Sequence, residues 1–186
     1  MKIAILGWGS LIWQPKALKY DRELDWDNNG PYLPIEFSRI SNDGRLTLVI
    51  DDNATPVQVL FAISQYKKLD EAILDLAIRE GCDKDRIGRY DKVSDEFIPN
   101  DFSFQKAIKE WIKKTDCDAV IWTNLGKRFK DKIGLTHNIE NVIQYLETLP
   151  KEAKVIAEEY IRKAPEQIKT KFRKKIEEEL NWKPMV

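Results

Sequence analysis

The sequence predicts a mixed α+β fold: a barrel-like, mainly antiparallel sheet flanked by helices, with a helical C-terminal third. Three observations predict it. Residues 35–64 alternate with a period of two and are punctuated by turn signals. Residues 69–80 and 103–114 switch to a helical period. From Ile139 onward the apolar stripes are helical, interrupted at Pro150 and Pro165.

The chain opens on KIAILGWGSLIW, Lys2 to Trp13. Ile3 to Leu6 read as a buried strand from their β-branched content. Gly7 and Gly9 then supply backbone freedom and carry no Cβ to keep a ligand from the main chain. Consecutive N–H groups in such a turn can hold an anion, and Ser10 adds a hydroxyl. A dinucleotide fingerprint would need a third glycine where Ile12 stands, followed by a helix that Gln14-Pro15 opposes. The plain alternative is a tight turn between two core segments.

Tyr20 to Pro34 is polar and turn-rich, a loop long enough to wall or cover a site. Pro34 to Ile40 alternates, with Ile35 and Phe37 on one side and Glu36 and Ser38 on the other. Asn42-Asp43-Gly44 is a hairpin signal, and Leu46 to Ile50 is the return strand. After a turn at Asp51 to Pro56, Val57 to Ser64 reads as one strand, apolar on both faces. Leu69 to Glu80 is a helix with Leu69, Ile73, Leu76 and Ala77 on its stripe and Gly81 as its stop. At 100° per residue Glu80 falls near the centre of that stripe. A charged group buried there must protonate or find donors. The alternative is a frayed last turn, with Glu80 in solvent or paired with Arg79 or Arg86.

Arg86 to Ile98 reads as extended, Ser103 to Lys114 as an amphipathic helix, and Cys117 to Thr123 as a buried strand. Lys127 to Lys132, KRFKDK, reads as a solvated loop, with an anion contact as the alternative. Ile139 to Leu149, Pro150 to Lys163, and Ile168 to Trp182 are the three helical segments that follow, the last with Ile168, Phe172, Ile176 and Leu180 at every fourth residue. Its lysines and glutamates suit an exposed face of weak ion pairs. His137 reads as a helix-start residue.

At 186 residues the chain suits a single domain, 1–186, with an α/β core over 1–135 and a helical extension over 136–186 packed on it. Lys plus Arg equals Asp plus Glu, 31 each, which argues against a general nucleic-acid binder. Cys82, Cys117 and the single His137 form no metal-ligand pattern. The apolar start is too short for a signal peptide and no run is long enough to span a membrane, so the cytoplasm is the expected location and no membrane partner is expected. Self-association as a homo-oligomer is left open.

GWGSLIW at Gly7 to Trp13, after a short N-terminal strand, resembles the glycine-serine loop of the γ-glutamylcyclotransferase-like superfamily, in its ChaC-type (AIG2-like) branch. DLAIREG at Asp75 to Gly81 resembles that branch's helix ending in Arg-Glu. The resemblance covers about the first half of the chain. It implies a small α/β enzyme with a barrel-like sheet and no cofactor or metal, acting as a transferase or lyase on γ-glutamyl compounds. The α-amine of the glutamyl group attacks its own γ-carbonyl, closing 5-oxoproline and releasing an amine or peptide. Glutathione metabolism is the implied setting. Glu80 is the implied catalytic acid/base, and Gly7, Trp8, Gly9, Ser10 and Leu11 the implied substrate-binding loop. Two other classes stay open on the same fold: a non-catalytic module that binds a small anion, and an interaction protein that docks through the helical tail bearing Trp182.

Overall fold

The computed structural model describes residues 1–185. The chain is mixed α+β, with two open sheets and six α-helices among the described residues. It divides into two compact units: residues 1–7, 14–33 and 58–125 form the first, and residues 8–13, 34–57 and 126–185 the second.

The first unit is built on a five-stranded sheet. Its strands are β1 (Ile3–Gly7), β5 (Leu60–Ile63), β6 (Ile87–Asp91), β7 (Glu96–Ile98) and β8 (Ala119–Thr123), in the order β5-β1-β8-β6-β7. β1 is buried throughout, antiparallel to β5 and parallel to β8. Helix α1 (Leu69–Glu80) lays Ala72, Ile73, Leu76 and Ala77 against β8 and β6. It stops where expected: Gly81 adopts φ 64°, and the amides of Gly81 and Cys82 donate to the carbonyls of Ile78 and Ala77. Helix α2 (Gln105–Ile112) carries Trp111, whose Nε1 donates to the Asn29 carbonyl at 2.8 Å. Opposite Gly88, the Trp122 ring lies so close that any Cβ there would meet it at 2.3 Å.

The stretch expected as one strand from Val57 to Ser64 is two. β4 (Pro56–Gln58) joins a three-stranded sheet with β2 (Tyr32–Ile40) and β3 (Leu46–Ile50), in the order β3-β2-β4, while β5 belongs to the other sheet. Val59 is the break. Its amide donates to the Pro31 carbonyl and its own carbonyl accepts from Gly30, both at 3.0 Å. A Cβ on Gly30 would stand 2.3 Å from that carbonyl oxygen. A segment passed from one sheet to the other needs apolar side chains on both faces, which is the pattern the sequence carries. The strands therefore form two open sheets and not the expected barrel-like one. The loop from Tyr20 runs along the outer edge of β5, where Asp27 and Phe61 exchange backbone hydrogen bonds at 2.8 and 2.9 Å. It covers a sheet edge that would otherwise present unpaired groups.

In the second unit, β2 and β3 close at the expected hairpin, with Gly44 at φ 85°. Contrary to the simple alternation, Glu36 and Ser38 are as buried as Ile35 and Phe37. Glu36 meets the start of helix α6 (Lys171–Leu180), where it accepts from the Thr170 hydroxyl and from the Phe172 amide at 3.3 Å. Ser38 donates to Asp51 at 2.5 Å, and Asp51 also accepts from the Asn53 amide and from Lys127 Nζ. KRFKDK is not a solvated loop: helix α3 (Phe129–Ile133) forms there because Phe129 is fully buried, and Lys127 turns to Asp51. Helices α4 (Ile139–Thr148) and α5 (Lys151–Lys163) follow. His137 precedes α4 as expected, with Asn138 as the cap, but its Nε2 also lies 2.9 Å from the Phe37 carbonyl oxygen. Arg173 interrupts the exposed charged face of α6. It is buried, donates to the carbonyls of Ala164, Pro165 and Ile168, and pairs with Glu177. No helix among the described residues is long and apolar enough to cross a membrane.

Burial pushes the Glu36 carboxyl above the ordinary carboxylate range, although the bonds from Thr170, Phe37 and Phe172 work the other way. The folded state therefore holds this proton more tightly than the unfolded chain. Its stabilising contribution is full below about pH 4.5, the ordinary value, and is lost as pH rises through the raised folded pKa. Urea denaturation of the wild type and Glu36→Gln at pH 4 and pH 8 should show the variant gaining relative stability at the higher pH. A stability difference independent of pH would refute this. Asp51 has the opposite sign: burial works to raise it, but Ser38, the Asn53 amide and Lys127 outweigh burial and hold it low. Its contribution is lost only as pH falls below the carboxylate range, outside the window tested.

Candidate functional site

The glycine-serine stretch leaves the first unit at Gly7, the last residue of β1, and rejoins it at Gln14. Residues 8–13 belong to the second unit. Trp8 is buried, and its indole Nε1 donates to the Leu48 carbonyl of β3 at 3.2 Å. Gly9 to Ile12 form a tight turn closed by the Ile12 amide on the Gly9 carbonyl at 3.0 Å. Ser10 is half-buried and Leu11 buried. Trp8, Gly9, Ser10 and Leu11 are thus one contiguous element, as the sequence suggested. The use of Gly9 differs from expectation. It is not among the residues with positive φ. Its missing Cβ makes room for the Tyr160 hydroxyl, which would lie 2.5 Å from a Cβ built there.

Glu80 ends α1 in the first unit. Its side chain is 15% exposed, and the neighbouring Arg79 side chain only 6%. Arg79 Nη1 donates to Glu80 Oε1 at 2.6 Å, and Arg79 Nη2 donates to the Gln14 carbonyl at 2.8 Å. Of the alternatives the sequence left open for Glu80, pairing with Arg79 is the one observed. The turn is not frayed, because Gly81 closes it. Fixing the two carbonyl-side ends of this unit in one place follows from topology. β1 runs parallel to β8, so Gly7 and Thr123 end on the same edge of the sheet. Ile87 of β6 pairs with Thr123 at that edge, and α1 reaches Ile87 through a short 3-10 turn at Lys84–Arg86.

A guanidinium that holds a carboxylate and a main-chain carbonyl fixes the carboxylate's position and supplies the donor a half-buried charge requires. Such a carboxylate can take a proton from a bound ammonium and return it to a leaving nitrogen. Cys82 lies in the same field: burial pushes its thiol up, and the Glu80 charge adds to that, so it is poorly suited to act as a nucleophile. Among the described residues, no three His, Cys, Asp or Glu side chains are grouped to hold a metal ion. Two cavities of the first unit, about 530 and 280 Å³, are lined by residues around Asp21 to Asp27 and Ile63 and do not include Glu80. Trp182, on the tail through which the interaction-protein alternative would dock, is 6% exposed, and the tail beyond it is fastened by Arg162 Nε on the Lys183 carbonyl and the Met185 amide on the Arg162 carbonyl.

In the sequence Arg79 stands only as one of the partners Glu80 could find. Its burial was not legible, because at 100° per residue it sits off the centre of the apolar stripe. Tyr160 was missed for another reason: nothing links it to Gly9 over 151 residues of chain except the tertiary contact. Neither family models nor curated proteins nor solved structures give a match to this chain.

Arg79→Met should lower stability by about 3 kcal/mol, since it leaves Glu80 and the Gln14 carbonyl without their shared donor. Chemical denaturation checks the value. Arg79→Met/Glu80→Gln should recover part of the loss, because no half-buried charge is then left unpaired.

Proposed function

We propose that this chain is a γ-glutamylcyclotransferase-like enzyme, acting without a cofactor on a small γ-glutamyl amine or peptide. Glu80 is its acid/base, and Gly7, Trp8, Gly9, Ser10 and Leu11 form its substrate loop. The observation that supports this most directly is the Arg79 bridge, which ties the Glu80 carboxylate to Gln14, the residue at which the glycine-serine stretch rejoins the first unit. Within the first unit one guanidinium thus holds the carboxylate of the second motif and the carbonyl of the residue that follows the first.

In the proposed reaction Glu80 removes a proton from the substrate's α-ammonium. The freed amine attacks the γ-carbonyl carbon, forming the ring C–N bond. Main-chain N–H groups of Gly9 to Leu11 stabilise the oxyanion, a type of contact whose loss typically costs about 3 kcal/mol of barrier. The intermediate collapses as the bond to the leaving nitrogen breaks and the carbonyl re-forms; Glu80 returns its proton to that nitrogen, and the ring nitrogen gives up its second proton to solvent, leaving the neutral lactam. Because nucleophile and electrophile are parts of one molecule, proximity supplies much of the rate and no covalent enzyme intermediate is needed.

Purified protein incubated with a panel of γ-glutamyl amines and dipeptides should release 5-oxoproline, measured chromatographically. Glu80→Gln should lower kcat at least about a hundredfold, the usual scale of acid/base catalysis, while its circular dichroism stays that of the wild type. An active Glu80→Gln enzyme would remove Glu80 from the mechanism. A wild type inactive on the whole panel that still binds 5-oxoproline would favour a binding module on the same fold.

A further inference from the structure

The second unit places one side chain from the C-terminal helices directly on the glycine turn. Tyr160, on α5, is buried, and its hydroxyl occupies the space over Gly9 that a side chain would fill, 2.5 Å from a Cβ built at that residue. The phenol cannot easily swing away. Its oxygen accepts from the Leu48 amide at 3.4 Å, the Arg45 guanidinium lies 5.6 Å from its ring centroid, and Trp13 meets it edge-on at 5.3 Å. The residue before the turn is held by the same residue of β3: Trp8 Nε1 donates to the Leu48 carbonyl. Trp8, next to Gly9, and Tyr160, over it, are therefore both tied to Leu48, and Trp13 packs on the same ring.

We propose that Tyr160 is the positioning residue of the substrate loop. Its hydroxyl holds the main chain of Gly9 to Leu11 in a single arrangement, and this makes α5 part of the ligand site and not an appendage to it. The ligand side of this inference rests on the cyclotransferase assignment above; the positioning of the turn does not. The glycine at residue 9 is then required by close approach. Alanine forces either the turn or the phenol to move, whereas Tyr160→Phe removes the obstructing oxygen and leaves the ring packing in place, with the next atom, Cζ, 3.5 Å from the new Cβ.

Four proteins test it: wild type, Gly9→Ala, Tyr160→Phe and the double variant. Gly9→Ala should lower Tm by roughly 5 °C, the scale of an overpacked site in a domain of this size, and the double variant should recover most of that loss. Tyr160→Phe should fold with Tm lowered by no more than about 5 °C, the cost of leaving the Leu48 amide without its acceptor, yet speed amide hydrogen exchange in the peptide covering residues 8–13. It should raise KM for a γ-glutamyl amine, and Kd for 5-oxoproline by calorimetry, about tenfold, with kcat changed no more than about twofold. Additive Tm losses in the double variant, or unchanged exchange in Tyr160→Phe, overturn the positioning of the turn. Faster exchange with wild-type KM and Kd confines Tyr160 to structure and overturns its role in the site. A wild type that neither turns over γ-glutamyl amines nor binds 5-oxoproline defeats the cyclotransferase assignment, and with it the ligand role, while the Tm cycle and exchange still decide whether Tyr160 sets the turn.

Discussion

β1 is hydrogen-bonded on both sides, antiparallel to β5 and parallel to β8, and the rest of the first unit follows from that double pairing. A parallel partner cannot be reached by a hairpin, so the chain must cross over before it returns as β8. On the way the chain adds β5, β6 and β7 to the same sheet, and α1 lies against β8 and β6. The pairing also decides where the strand ends. Gly7 finishes on the edge where β8 finishes and β6 begins, and α1 delivers its own last turn toward the start of β6. A loop leaving such an edge at Gly7 and returning at Gln14 has both anchors in the unit that holds Arg79 and Glu80.

The second unit is organised by a different constraint, the need to satisfy polar groups that its sheet and helices bury. Glu36 receives the N-terminus of α6, where donors are in excess. Arg173, inside the charged run by sequence, turns inward to the carbonyls of Ala164, Pro165 and Ile168 in the segment between α5 and α6. Asp51 collects Ser38, Asn53 and Lys127. Each of these groups would cost several kcal/mol if buried alone, so their partners specify which helix meets which strand more sharply than apolar contact could.

The two stretches on which the proposed function rests are each held by polar restraint. Arg79 pins the carboxylate and a carbonyl together; Leu48 pins Trp8 and Tyr160 around a glycine. Restraint of this kind is what a site needs when the chemistry is carried by position, as in an intramolecular acyl transfer whose nucleophile is already tethered to its target.

Local pattern was enough to read most elements in this sequence: β1, the β2-β3 hairpin with Gly44, α1 with its Gly81 stop, and the helices α4 and α5 stand where periodicity and caps put them, while α6 starts only at Lys171, after the Thr170 cap, and leaves Ile168 and Trp182 outside the helix they were expected to bound. The glycine turn and the carboxylate at the end of α1 could be singled out for the same reason, since both are defined by residues adjacent in the chain. Tertiary structure decided the remainder. It split residues 57–64 between two sheets because Val59 bonds to Gly30 and Pro31, it turned KRFKDK into a helix because Phe129 found a buried place, and it put Arg79, Arg173 and Tyr160 in the interior. Those outcomes depend on partners tens of residues distant. A period in hydrophobicity reports which face of an element is buried, but not which donor or hydroxyl from another element will meet it there.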